Sequence, residues 1–317
     1  MTLLDESARG VYVISATPFT DAGAMDWSST DRLMDFYLDC GVDGVTILGV
    51  MGEAPKLAES EAEAFVARVL KRVTGRIPVI VGVSNPGLKL LADFARRAMD
   101  LGAAGVMVAP ATGLKTDDQI HAYVASVVKE LGQIPVVLQD YPQLTQVFMS
   151  ASLVNRCFAD FPSLKMLKHE EAPGLRKLSQ VRSADAARGR RISILVGNGG
   201  IHLPQELARG ADGAMTGFAF PEMLVEVCRR FAAGDAEGAE DVYDAFLPVV
   251  RHEQQPGIGL ALRKETLRRR GILSSARTRA PGPALDADDQ AELTRLLARL
   301  ERARGRLASP GFRLAGE

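Results

Sequence analysis

Short apolar, β-branched runs recur along the chain at 11–16, 44–48, 77–83, 105–109, 134–139, 164–168, 192–197 and 213–217. Most are almost continuously hydrophobic, as strands covered on both faces must be. Between them the apolar spacing changes to the helical period. Segment 60–72 carries Phe65, Val66, Val69 and Leu70 on one face, with acids early and bases late, matching the helix dipole. Segments 88–101 and 117–131 read the same way. The repeating unit is about thirty residues, the length of a βα module. Eight such units predict an α/β fold of the (β/α)8 TIM-barrel type rather than an open sheet.

Three joints share one layout: Gly41-Val42-Asp43-Gly44, Gly102-Ala103-Ala104-Gly105 and Gly210-Ala211-Asp212-Gly213. The first glycine of each suits a left-handed helix end and the second opens a strand, so these are structural turns. Beyond the last strand, 221–233, 236–251, 257–270 and 287–302 follow helical spacing, the last with Leu293, Leu296, Leu297 and Leu300 on one stripe. The arginines of this region, including Arg268, Arg269 and Arg270, read as a solvated helix face. The expected organisation is a barrel at 8–220, C-terminal helices packed on it at 221–308, and an unstructured tail at 309–317.

Composition narrows the field. Of 317 residues 47% are hydrophobic, enough for one large core, and a net charge of −1 gives no reason to expect nucleic acid or an anionic membrane surface. The opening residues show neither a basic stretch nor a long apolar one, and no apolar run is long enough for a membrane span. Cys40, Cys157 and Cys228 are odd in number and far apart, which suits a reducing cytoplasm rather than a disulfide framework. His121, His169, His202 and His252 show no metal spacing, which argues against a metal-dependent aldolase.

In barrels of this type the site lies at the C-terminal ends of the strands. Those ends carry Thr17-Pro18-Phe19, Gly49-Val50-Met51-Gly52-Glu53, Pro110-Ala111-Thr112, Gln139-Asp140-Tyr141-Pro142, Lys168, Gly197-Asn198-Gly199-Gly200 and Thr216-Gly217. Lys168 is the informative one. A charged amine is costly to bury at the end of an apolar strand, and a neutral amine attacks carbonyls, which points to Schiff-base chemistry.

With Thr17-Pro18-Phe19, the 49–53 loop, Lys168 and the run Gly-Ala-Asp-Gly-Ala-Met-Thr-Gly at 210–217, the chain resembles the dihydrodipicolinate synthase / N-acetylneuraminate lyase superfamily over about residues 8–300. The resemblance implies a class I aldolase-type barrel in which Lys168 forms an imine with a 2-oxo acid, so that no separate cofactor is needed. It also implies a homotetramer or homodimer. The family loop Gly-Thr-Thr-Gly-Glu here has Val50 and Met51 in place of both threonines, which leaves backbone N–H groups to hold a carboxylate. Aligned on Pro142, the family's tyrosine position is Gln139, its asparagine position Asp140 and the arginine position of true synthases Leu144; the tyrosine after strand four is Thr112. Glutamine is no phenol-like acid, and the lost arginine removes a bidentate carboxylate clamp, so these departures argue against the synthase reaction.

Within the family the chain is most similar to dehydratases of 2-keto-3-deoxy sugar acids, which share a Gln-Asp-x-Pro run and a pair like His252-Glu253. The expected function is a Schiff-base lyase, dehydratase or aldolase, acting on a 2-keto-3-deoxy sugar acid. Synthase-like pyruvate condensation and a non-catalytic keto-acid-binding barrel are the alternatives, and a phosphate site at Gly197–Gly200 is a weaker one because no basic residue adjoins it. Lys168, Gln139 and Tyr141 are the candidate catalytic residues. Thr17, Gly49, Val50, Met51, Gly52, Thr112, Asp140, Glu170, Gly197, Asn198 and Thr216 are the candidate substrate-binding residues. Asp140, Glu170 and Glu171 supply carboxylates suited to acid/base work beside the lysine.

Overall fold

A computed structural model of the chain describes residues 2–307. The expected tail at 309–317 lies outside the described residues. The elements run β1 (Gly10–Ile14), α1 (Trp27–Asp39), β2 (Gly44–Ile47), α2 (Glu59–Val73), β3 (Val79–Gly82), α3 (Leu88–Asp100), β4 (Gly105–Val108), α4 (Asp117–Leu131), β5 (Val136–Asp140), the short α5 (Pro142–Thr145), α6 (Ala151–Asp160), β6 (Leu164–His169), α7 (Leu175–Ser183), the short α8 (Asp185–Arg188), β7 (Ser193–Val196), α9 (Leu203–Ala208) and β8 (Gly213–Ala214). Four further helices follow: α10 (Pro221–Ala232), α11 (Ala236–Glu253), α12 (Gly259–Arg269) and α13 (Ala287–Leu307). The strands are parallel and close in chain order, β8 pairing back onto β1. The hydrophobic pattern therefore predicts the fold correctly: a TIM barrel with C-terminal helices.

Alternation along each strand splits the core in two. Tyr12, Ile14, Ile80, Met107, Val137, Met166, Leu195 and Met215 fill the barrel interior. Val11, Val13, Leu138, Leu167, Val196 and Ala214 face outward into the larger core against the helices. Between β5 and β6 the register slips at Val136/Val137, opposite Lys165. The extra residue brings Met166 and Lys168 into phase with Val137 and Gln139, so Gln139 and Lys168 are inner partners and Asp140 and His169 outer ones.

The glycine joints do what their spacing predicts. Gly41, Gly102 and Gly210 have positive φ at helix ends, while Gly44, Gly105 and Gly213 open strands. The strand glycines are also needed for space: a Cβ on Gly44 would lie 2.4 Å from the Tyr12 ring.

The strand expected at 213–217 is shortened to Gly213–Ala214, although Ile14 N still donates to Thr216 O. The C-terminal extension packs against this end. Arg263 of α12 reaches the end of β8, where a Cβ on Gly217 would lie 2.0 Å from its Nη1, and its Nε donates to Glu253 Oε1 at 2.5 Å. Both members of this pair are buried, and Glu253 in turn accepts from Ala219 N at 3.2 Å. The extension thus forms part of the seal at the β8–β1 seam.

That seam makes a test of the closure. Gly213 has φ 150° and an added Cβ would lie 1.9 Å from Gly10 O, a backbone atom. Gly213→Ala is expected to cost about 3 kcal/mol through overpacking and strain, read as a lowered urea midpoint; an unchanged midpoint would show that the seam can open without cost.

Candidate active site

Lys168 ends the inner face of β6 and is 4% exposed. Its Nζ lies 3.1 Å from Glu170 Oε2, and Gln139 Nε2 donates to that same oxygen at 2.6 Å. Two donors thus converge on one carboxylate oxygen inside the barrel mouth. Glu170 is fixed along its backbone as well: its N donates to Asp140 O at 2.9 Å, and Asn198 Nδ2 donates to its carbonyl at 2.7 Å. Its side chain rests on Gly197, where a Cβ would meet Glu170 Cγ at 2.2 Å, so the glycine makes room for the acid. Asn198 itself takes positive φ, and Gly199 N donates to Thr216 Oγ1 at 2.7 Å, tying the β7 loop to β8.

Across the mouth, the chain after β2 forms a 3-10 turn over Val50–Gly52. The N–H groups of Val50 and Met51 open this turn and have no acceptor within it. Gly49 sits over Ile14 and Met107, and Met51 packs on the interior cluster. Thr17 Oγ1 donates to Gly52 O at 2.6 Å. The turn ends at Glu53, a left-handed residue buried to 2% exposure. Its carboxylate accepts from Lys264 at 2.6 Å, Lys56 at 2.9 Å and Arg279 N at 2.9 Å. Lys264 and Arg279 also stack on Phe19, at 4.5 and 4.4 Å from the ring centroid. Burial outweighs Glu53 at Lys264 and brings its amine down to about 8.

The structure separates the expected site residues. Lys168, Gln139 and Glu170 come together, with Gly197, Asn198 and Thr216 behind them. Tyr141 is half-buried; burial and the charge of Glu170 both raise its phenol above the usual range. Thr112 is exposed, and among the described residues it makes no contact with this cluster. Asp140 is not brought to the lysine. It is fully buried on the outer side of β5, where its Oδ2 accepts from Lys177 Nζ at 2.6 Å. Glu171 turns the same way, onto Lys177 at 2.5 Å. Strand alternation is the reason: Gln139, Lys168 and Glu170 point in, Asp140 and His169 out.

Sequence reasoning passes over Lys177 and Glu206. Glu206 of α9 is 8% exposed and its Oε2 has no partner among the described residues. Burial pushes its carboxyl up to about 7, opposed by the charge of His169. Neither residue carries a local signal: Lys177 bonds Asp140 from 37 positions away as well as the nearby Glu171, and Glu206 is coupled to His169 across the fold.

Comparison with known proteins agrees with this architecture. The chain belongs to the dihydrodipicolinate synthetase family, whose sequence model matches residues 7–300. It is accordingly a lyase of the Schiff-base class. The L-2-keto-3-deoxyarabonate dehydratase of Azospirillum brasilense is 32% identical over 299 residues, covering 92% of this chain and 94% of that protein. The 4-hydroxy-tetrahydrodipicolinate synthase of Sorangium cellulosum is 33% identical over 242 residues, covering 75% of this chain and 78% of that protein. A crystal structure of dihydrodipicolinate synthase from Rhodopseudomonas palustris superposes with a TM-score of 0.92 at 46% identity, covering 94% of this chain and 100% of that one.

The Glu206 carboxyl gives a pH-dependent expectation. Its folded pKa, about 7, is raised above the ordinary 4.5. Its proton therefore favours the folded state, and that stability is lost as pH rises from about 4.5 through 7. Glu206→Gln removes the ionisation and is expected to be more stable than the natural chain by about 1–3 kcal/mol at pH 8 and equal to it near pH 4.5. Thermal melts at both pH values check this; a gain of the same size at both would assign the effect to packing instead.

Proposed function

We propose that the chain is a dehydratase of 2-keto-3-deoxy sugar acids that works through an imine on Lys168, with Glu170 as the acid/base. The observation that carries this reading is the single Glu170 oxygen 3.1 Å from Lys168 Nζ and 2.6 Å from Gln139 Nε2. Gln139 stands where the family pattern has its tyrosine. An amide does not exchange protons near neutral pH, so Gln139 orients the acid and Glu170 moves the proton.

The 2-oxo carbon condenses with the Lys168 amine, releasing water. The carboxylate of the substrate lies at the N–H groups opening the Val50–Gly52 turn. The imine acidifies the adjacent C3–H, and Glu170 takes that proton. The enamine electrons then expel the hydroxyl on the next carbon, which leaves as water with the proton that Glu170 returns. Water finally hydrolyses the imine and frees Lys168. The half-buried Tyr141, close enough to Glu170 to feel its charge, supplies a polar contact for a substrate hydroxyl.

Pyruvate condensation is the second reading, favoured by the name of the 46% identical relative. It needs a cation for the second substrate's carboxylate. Leu144, exposed, occupies the position of the synthase arginine, and Lys56, Lys264 and Arg279 are all engaged by Glu53 or Glu61.

Borohydride trapping with a panel from pyruvate to 2-keto-3-deoxy sugar acids tests both. A reduced adduct on Lys168 whose mass corresponds to a dehydrated sugar acid is expected, and Lys168→Ala should remove both adduct and turnover. Glu170→Gln should still trap an adduct while kcat drops by about 10²–10⁴. Full activity in Glu170→Gln would remove the acid/base role, and an adduct only with pyruvate would favour condensation.

A further inference from the structure

His169 lies between Lys168 and Glu170 in sequence but on the opposite side of the sheet, 1% exposed. Its two ring nitrogens face two acceptors. Nε2 is 3.0 Å from Gly174 O, and Nδ1 is 3.5 Å from Asp140 Oδ2. A neutral imidazole has one N–H, so one nitrogen would turn a lone pair towards an oxygen; only the imidazolium matches both. The seat is built for the ring: a Cβ on Gly174 would lie 2.6 Å from His169 Nε2.

Charged groups from several elements surround the ring. Asp140 comes from β5, Lys177 from α7 and Glu206 from α9; Glu171, from the loop after β6, closes onto Lys177, and Tyr243 of α11 lies beyond Glu206. Three buried atoms here have no hydrogen-bond partner among the described residues: Asp140 Oδ1, His169 Nδ1 and Glu206 Oε2. Below about pH 7, where Glu206 keeps its proton, Lys177 and an imidazolium balance Asp140 and Glu171; with a neutral ring the Asp140 side is left short of a donor. Burial alone would keep the ring neutral, yet Asp140 and the Gly174 carbonyl outweigh it and raise its pKa above the ordinary value.

We infer that His169 is a positioning residue for the reaction proposed above: as an imidazolium it ties β5 to β6 behind the pocket and so holds Gln139, Lys168 and Glu170 in register. The link is covalent and short. Asp140 and His169 are paired Cα partners, as are Gln139 and Lys168 one residue earlier. Loss of the His169 proton loosens the outer pair, and the 2.6 Å contact between Gln139 and Glu170 on the inner side loosens with it. Lys168 is still free to form its imine, but the proton transfer that depends on Glu170 slows.

The inference rests on the imine reading, and the test keeps the two apart. Profiles of kcat and KM against pH are measured with a 2-keto-3-deoxy pentonate for the natural chain, His169→Asn and Glu206→Gln. Borohydride trapping of Lys168 with the same acid and NMR titration of labelled histidine accompany them. In the natural chain kcat should fall on the alkaline side as His169 loses its proton, and the ring should titrate above about 6.5. His169→Asn should lower kcat about tenfold at neutral pH, leave KM within about threefold, and abolish that alkaline limb. Glu206→Gln should move the limb and the NMR titration to lower pH, because an anion facing the imidazolium is gone; this variant decides the question if His169→Asn does not fold. A His169→Asn profile of unchanged shape, or a ring titrating at or below about 6.5 in an enzyme that traps the adduct, overturns the positioning role alone. No adduct with the natural chain overturns the imine reading, whatever His169 does.

Discussion

Everything at the mouth of this barrel depends on the two-residue period of a strand that cannot slip. A parallel sheet closed on itself has no free edge, and each strand is held in register from both sides. At the ends of β5 and β6 this gives adjacent residues opposite surroundings. Gln139 and Lys168 meet in the interior, while Asp140 and His169, one peptide further on, are buried against helices. The register slip at Val136/Val137 sets the phase. Without it, Lys168 and Gln139 would face opposite sides of the sheet, and the convergence of both on Glu170 would be lost.

The C-terminal helices are part of this arrangement. Glu53 closes the turn that offers its N–H groups across the mouth, and two of its three partners come from beyond residue 260. The pair Lys264–Glu53 is buried on both sides, at 0% and 1% side-chain exposure. Burying two charges returns little net stability, because desolvation consumes most of the attraction. Its consequence is positional. The turn has one place to sit, since moving Glu53 would strand the buried Lys264 amine beside Phe19. Arg263 and Glu253 do the corresponding work at the β8–β1 seam.

Much of this is legible in the sequence because it is local. Continuous apolar runs, helix-period segments and paired glycines each report on a few neighbouring residues, and they yield the eight strands and the fold. Lys168 stands out because a lysine at the end of such a run is unusual. Asp140 and Glu170 could not be told apart that way. Both are acids beside the key residues, and only the phase of alternation, set by an irregularity in strand pairing, sends one outward and the other in. Glu206 and Lys177 are less visible still, since what makes them notable is the group they meet across the fold. Arg263 is equally hidden: it is distant in sequence and occupies the space beside Gly217.

The charge distribution bears on which substrate the pocket suits. A condensing enzyme must hold two carboxylates, whereas a sugar acid presents one carboxylate and a row of hydroxyls. In the proposed reaction the Val50–Gly52 turn takes that one carboxylate through backbone N–H groups, which do not depend on the missing threonine hydroxyls. The Lys168 cluster adds a carboxylate and an amide, at Glu170 and Gln139. A second carboxylate brought there would face Glu170 with like charge, in a low-dielectric pocket where such repulsion is strong. Hydroxyls would meet both donors and acceptors. The substitution of Gln139 for the family's tyrosine fits the same logic. An amide can hold a carboxylate by donating one hydrogen bond without competing for its proton, which in the proposed mechanism leaves Glu170 to remove a proton and return it to a departing hydroxyl.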